Sequence, residues 1–470
     1  MSSRRRSLLR LLALLLSFVL IAAACGDDSG DGDTATDDTT PSDDTTPPDD
    51  TTPPDDTTPP DDTTDEVLTA SYTGVTETTI TVGVSLLDFQ KLVDLNLSPA
   101  GWGDQVAAWE AMFDSVNAAG GIAGRQVEAV YELYSPVDPG DADRVCTALT
   151  QDNEVFAVLG GFVGPLAGTA DPCITGLNET ILIGGDQNDD ELAQSVAPWY
   201  MPGQAANAST VILLNLLEES GALDGAKVFV MGGLADEASQ GQVLQELADR
   251  GVEVVGQNLV LAVDGDTAAQ DDELGIITEQ IKSSGATAVF IHGTPSSSIR
   301  GLAAAGLITE LDIWANNPAG LANLGNTITD KSVANGVVTA AGPSDTDIWD
   351  DPTYQSQCSE VVAAALPEAD IRPPLDYAEN EENWFNGIRY GCRLIDLFAV
   401  IANAAGPELN HDTFRAAAES LSDFSFAGSP NASLSPEKFY ADDMYSLAVY
   451  DSTAGDGQAV AVGDLVDIFE

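Results

Sequence analysis

Five cysteines and two histidines are the side chains best suited to nucleophilic, redox or metal chemistry in this chain. Their spacing assigns them elsewhere. No CxxC pair occurs, and His292 and His411 stand far apart, so the ligand spacing of a zinc site is missing. There is no Gly-x-Ser-x-Gly elbow, no Walker A string and no GxGxxG opening a helix. Adjacent acids such as Asp189 and Asp190 follow from a composition holding 76 Asp and Glu. The expectation is a chain that is not an enzyme and carries no cofactor or metal. Cys146, Cys173, Cys358 and Cys392 form an even set, which in an exported chain indicates disulfides. Four cysteines allow three pairings. Pairing by sequence neighbours, Cys146 with Cys173 and Cys358 with Cys392, closes two loops of about thirty residues, each worth roughly 3 kcal/mol of loop entropy.

The fifth cysteine has a different setting. Arg4, Arg5, Arg6 and Arg10 precede an apolar stretch, which ends Ile21-Ala22-Ala23-Ala24-Cys25. A positive start, a short apolar core and small residues before a cut mark residues 1–24 as a secretory signal. The Cys directly after them resembles the bacterial lipobox. That resemblance implies acylation of Cys25, cleavage before it, and a protein held by lipid on the outer face of the cell membrane.

Residues 26–66 are almost only Asp, Thr, Pro, Gly and Ser, with Asp-Asp-Thr-Thr-Pro-Pro repeated from position 43 to 60. Nothing there can bury a core, so residues 25–77 read as a disordered tether. Proline pairs and mutual repulsion of carboxylates favour an extended form reaching on the order of 100 Å.

The tether and signal take 16 of the 76 acids and 4 of the 17 bases, leaving 60 acids against 13 bases in residues 67–470. Phosphate contacts need clustered Lys and Arg, so nucleic-acid binding is excluded as a function class. Roughly 400 residues are enough for two ordinary domains.

Short apolar, β-branched runs alternate with amphipathic stretches. Strands are expected at residues 80–84, 127–133, 155–159, 181–183, 227–231 and 288–291, with an extended run over 252–263. Helices are expected over 101–119, 141–149, 208–219, 240–250, 274–283 and 384–405. Gly120 and Gly121 end the first of these helices. Strands apolar on both faces imply parallel sheets covered by helices. Two such series give an α/β chain with two Rossmann-like parallel-sheet lobes. Residues 336–343 form a passage between them, and residues 384–405 return to the first.

The string Asn117-Ala118-Ala119-Gly120-Gly121-Ile122-Ala123-Gly124-Arg125 resembles the NxxGGIxGR stretch of type I periplasmic binding proteins, in particular the leucine/isoleucine/valine-binding branch that serves ABC importers. The resemblance runs from about Thr78 to the end of the chain. It implies a multi-strand hinge, with residues 78–205 and 343–440 in lobe 1 and 206–342 and 441–470 in lobe 2. It further implies capture of a small polar solute, amino-acid-like or an amide, by a monomer that delivers it to an importer permease. A ligand-gated sensor or a surface adhesion module on the same fold is the alternative.

The resemblance also places a site in the loops after the strands. In the first lobe these are Phe162, Val163 and Gly164, then Gly185, Asp186 and Gln187. Backbone N–H groups at the first turn would meet a ligand carboxylate, since the serines usual there are absent. Asp186 would pair with a ligand ammonium or cap the next helix. In the second lobe the candidates are Asp236, Thr294, Asn316 and Asn317. His292 reads as the end of a strand. Phe89 and Trp102 would cover the ligand or pack within the lobe.

Overall fold

The computed structural model describes residues 68–470, except 139, 165–166, 206–207, 234–236, 263–265, 323, 325–327, 379, 455–456 and 470. The signal segment, Cys25 and residues 26–67 lie outside the described residues. Residues 68–77, expected as the end of the disordered tether, instead pack on the first sheet's core, with Val75 buried and the Ser71 hydroxyl donating to Leu409 O at 2.6 Å.

Five strands build a first sheet: β1 (Thr79–Leu87), β2 (Gln126–Tyr134), β3 (Ala157–Gly160), β4 (Ile181–Gly184) and β5 (Trp199–Tyr200). Their order is β2-β1-β3-β4-β5 and every pairing is parallel, so all strands end on one edge. β3 and β4 are buried along their whole length, as expected where helices cover both faces. One cover is the helix Trp384–Ala405, which arrives from far along the chain. Its Ile388, Leu394 and Phe398 share one core with Leu159 and Ile183 of the sheet.

The second sheet contains β6 (Lys227–Gly233), β7 (Glu253–Leu259), β8 (Ala288–Gly293), β9 (Asp312–Ala315) and β10 (Val338–Ala341), all parallel. After a small hairpin, β11 (Phe424–Phe426) and β12 (Ser429–Ala432), the chain adds β13 (Met444–Asp451) and β14 (Gln458–Asp467) to this sheet. The order is β14-β13-β10-β9-β8-β6-β7, and both added strands run antiparallel to their neighbours. The parallel-sheet lobes are as expected, and this antiparallel pair is an addition at one edge. A strand entering by a hairpin needs no crossover helix and runs opposite to its partner.

Several element bounds also move. The helix expected to start at residue 274 begins at Thr267, because the Asp266 side chain accepts from the Ala269 N–H and caps it there. The helix expected from 101 begins at Gln105, with Asp104 capping through the Ala107 N–H.

The chain passes between the sheets three times: after β5, between β10 and the helix Asp345–Asp350, and between β12 and β13. The first and third passages lie side by side. Met201 N–H donates to Phe439 O at 2.9 Å, and Ala441 N–H donates to Met201 O at 2.8 Å.

Both disulfides pair sequence neighbours. Cys146–Cys173 joins the helix Asp141–Thr147 to the turn before β4, with Cα atoms 6.3 Å apart. Cys358–Cys392 ties the segment Gln355–Ser359 to the long helix, with Cα atoms 5.9 Å apart. Among the described residues no helix is long and apolar enough to cross a membrane.

Candidate functional site

The NxxGGIxGR residues serve architecture. The Asn117 side chain pairs with Val127 like a strand partner, accepting its N–H at 2.7 Å and donating to its carbonyl at 2.9 Å. Arg125 is fully buried and donates to four carbonyls, those of Thr69, Thr76, Ala123 and Pro407. It clamps the segment entering β1 onto the end of the long helix's loop. Burial lowers its pKa, and Glu77 opposes that shift.

At the carboxyl edge of the first sheet, β3 and β4 end in paired glycine turns. Gly161 and Gly185 have φ of 67° and 82°. A Cβ at either would collide with the carboxylate of Asp171, so glycine here makes room for that side chain. Asp171 is fully buried. It accepts the Phe162 N–H at 2.7 Å and the Asp186 N–H at 3.0 Å, one from each turn. Burial holds its carboxyl well above the usual range, and nearby Glu191 and Asp186 add to the shift.

The expected backbone donors are thus engaged internally. The Val163 N–H also donates, to the Tyr134 hydroxyl at 2.9 Å. The Phe162 ring lies in the core, edge-on to Tyr134. Gln187 is buried as well and donates to Trp199 O. Gly164 and Gly185 are half-buried. Asp186 does not cap the next helix; Asn188 does, accepting the Glu191 N–H at 3.1 Å. Asp186 instead keeps its carboxylate open to solvent, while surrounding protein raises its pKa.

Trp102 is half-buried and stands between Phe89, at 4.6 Å between ring centroids, and Tyr390 of the long helix, at 6.1 Å. The Tyr390 hydroxyl donates to Gly160 O at 2.8 Å. The aromatic row therefore abuts the same turn that Asp171 fills. A cavity of about 400 Å³ opens beside Phe89, lined by Asp88, Asp104, Gln105 and Glu382 among others.

In the second lobe, Thr294 is exposed at the start of the helix Pro295–Ala304, and its side chain makes no capping bond. His292 ends β8, with Nδ1 3.0 Å from the Ser239 hydroxyl. Asn316 donates to the Thr210 hydroxyl at 2.8 Å. Asn317 is a cap, accepting the Gly320 N–H at 2.7 Å and donating to Gly293 O at 3.2 Å. Asp236 lies outside the described residues. Sequence reasoning missed Asp171, Glu191 and Tyr390. An acid in the Gly-, Ala- and Pro-rich residues 160–172 was the one available signal for Asp171. Among the described residues no group of three or more His, Cys, Asp or Glu could hold a metal ion.

The family model for periplasmic binding proteins matches residues 98–454. A search of curated protein sequences finds no match. Among solved structures, an ABC transporter substrate-binding protein from Desulfitobacterium hafniense is 14% identical, with a TM-score of 0.52 over 82% of this chain and 100% of that one. A second structure from that organism, in complex with Leu, is 13% identical with a TM-score of 0.51, over 82% of this chain and 100% of that one. A fatty acid ABC transporter substrate-binding protein from Thermomonospora curvata is 16% identical with a TM-score of 0.47, over 86% of this chain and 96% of that one. At these identities the likeness is one of fold. With two sheets bridged by three passages and the family match spanning most of the chain, the protein belongs to the periplasmic binding protein family, in its type I fold.

Proposed function

We propose that this chain is a solute receptor, which captures a small polar solute between its two lobes and delivers it to an ABC importer. The lobes are taken as residues 78–205 with 343–440, and 206–342 with 441–470. Acylated Cys25 holds the receptor on the outer face of the cell membrane, and the tether lifts it clear. The observation that carries the reading is geometric. The parallel strands of each sheet end on one edge, where Asp186 and Trp102 in one lobe and Thr294 in the other reach solvent. Three passages between the lobes form a hinge about which such edges can close on a solute.

The test is a thermal-shift screen of the full chain against amino acids, amides, amines, sugars and small organic acids. A receptor gives a melting temperature that climbs with the logarithm of one solute's concentration. The same solute lowers the radius of gyration in small-angle scattering as the lobes close. Silence across the whole panel, from folded protein, rejects the reading.

A further inference from the structure

The first lobe's rim gathers three carboxyl groups with no base among them. Asp171 is fully buried, and its two oxygens take one backbone N–H from each glycine turn. Asp186 follows the second turn and is open to solvent. Glu191 is only 6% exposed, and its Oε2 has no hydrogen-bond partner among the described residues. Glu191 lies within electrostatic reach of both Asp171 and Asp186. Among the described residues no Lys or Arg forms an ion pair with any of the three. Basic side chains of this lobe have partners elsewhere: Arg144 with Glu132 and Asp141, Lys91 with Asp138, Arg389 with Asp345, and Arg415 with the Val196 carbonyl.

Two consequences follow. The N–H groups of Phe162, Val163 and Asp186 already donate within the protein, so an anion cannot take them without breaking a bond. It also meets the field of carboxylates, which repels it. A cation meets the opposite situation. It supplies the counter-charge that the exposed Asp186 lacks. The Phe89, Trp102 and Tyr390 row reaches the same turn through the Tyr390 hydroxyl, and aromatic faces attract cations. The cavity beyond Phe89 continues the pattern, with Asp88, Asp104 and Glu382 in its lining and no Lys or Arg.

We propose that the solute is an organic cation, an ammonium or guanidinium compound, held by Asp186 as its counter-charge and by Trp102 and Tyr390 as its wall. The side chain of Asp171 fills the place where an anionic group of a ligand would otherwise sit. This rests on the receptor reading above and narrows its substrate class.

Thermal-shift titrations of the full chain test it with four probes: choline, agmatine, leucine and 4-hydroxybenzoate, at matched ionic strength. The expected result is a saturable shift with choline or agmatine and none with 4-hydroxybenzoate. Asp186→Asn, at an exposed position, keeps the unliganded melting temperature within a few degrees and weakens the cation at least tenfold. Trp102→Ala weakens choline more than agmatine, since a quaternary ammonium has no N–H to donate to Asp186 and leans more on the ring faces. Leucine or 4-hydroxybenzoate binding more tightly than both cations overturns the cation proposal and leaves the receptor standing. Equal cation affinity in wild type and Asp186→Asn also overturns it, because that binding belongs to the acidic surface at large. Silence of all four probes overturns it too, and the receptor reading falls with it only if the wider solute panel is silent.

Discussion

Asp171 and Arg125 show how a single buried charge is handled in two ways. Arg125 satisfies its guanidinium with four backbone carbonyls and keeps its place as a clamp. Asp171 receives two backbone N–H groups but faces Glu191, Asp186 and the Tyr134 hydroxyl, none of them cationic. A carboxyl whose pKa is raised by folding binds its proton more tightly in the folded state than in the unfolded one. Its effect favours folding fully below its ordinary pKa of 3.8 and is lost as pH rises to the folded value. Stability across the mildly acidic range should therefore fall with rising pH by up to about 1.4 kcal/mol per pH unit from this one group. Asp171→Asn retains an oxygen for one turn and removes the titration. Urea unfolding of both proteins at several pH values should show a shallower slope in the variant. Parallel slopes would mean that Asp171 is ionised throughout.

The long helix Trp384–Ala405 sets the geometry of the first lobe because two glycines let it lie close. Above Gly387 sits the Trp102 carbonyl, and above Gly391 the fully buried Trp109 ring; a Cβ at Gly391 would stand 2.7 Å from Trp109 Nε1. Trp109 has no open space to enter. Gly391→Val should thus lower stability by about 1–3 kcal/mol through overpacking, read as a lower urea midpoint. An unchanged midpoint would show that the helix shifts at no cost. This helix was fully legible from sequence. It carries a broad apolar stripe, Asn383 caps its start and Gly406 follows its end. The central parallel strands were legible for a similar reason, since each is a compact apolar run. β13 and β14 were not. β14 is exposed along much of its length and carries polar residues among apolar ones, so no buried face marks it. Site residues were harder still. Phe162, Gln187 and Asn317 sit at the expected loop positions, but loop position does not set side-chain direction. Burial of Phe162 follows from Asp171 drawing its N–H inward, a contact between residues 9 apart that no periodicity reports.

At the scale of the whole molecule, the passages between lobes carry two ion pairs, Arg393–Asp442 and Lys438–Asp443. Arg393 of the long helix meets both oxygens of Asp442 at 2.6 and 2.7 Å and also donates to Pro202 O at 3.3 Å. One guanidinium thereby holds two of the three passages to lobe 1. Ser429 donates to the same carboxylate at 2.6 Å. Next along the chain, Lys438 donates to the carbonyls of Ser433, Tyr440 and Ala441 and pairs with Asp443 at 2.7 Å. A hinge needs a fixed pivot, or relative motion of the lobes becomes loosening in every direction. Asp442 is buried and Arg393 half-buried, so removing the guanidinium strands a buried carboxylate. Arg393→Ala should destabilise the protein by about 3–5 kcal/mol, because Asp442 keeps only the Ser429 hydroxyl and the more remote charge of Lys438. Arg393→Ala with Asp442→Asn should recover much of that loss, since the stranded carboxylate is gone. Scattering then separates pivot from glue. If the pair fixes the axis of closure, the double variant folds with near-normal stability but shows a broader spread of lobe separations, and its radius of gyration responds less to ligand. A double variant that closes on ligand like wild type would assign the pair to stability alone.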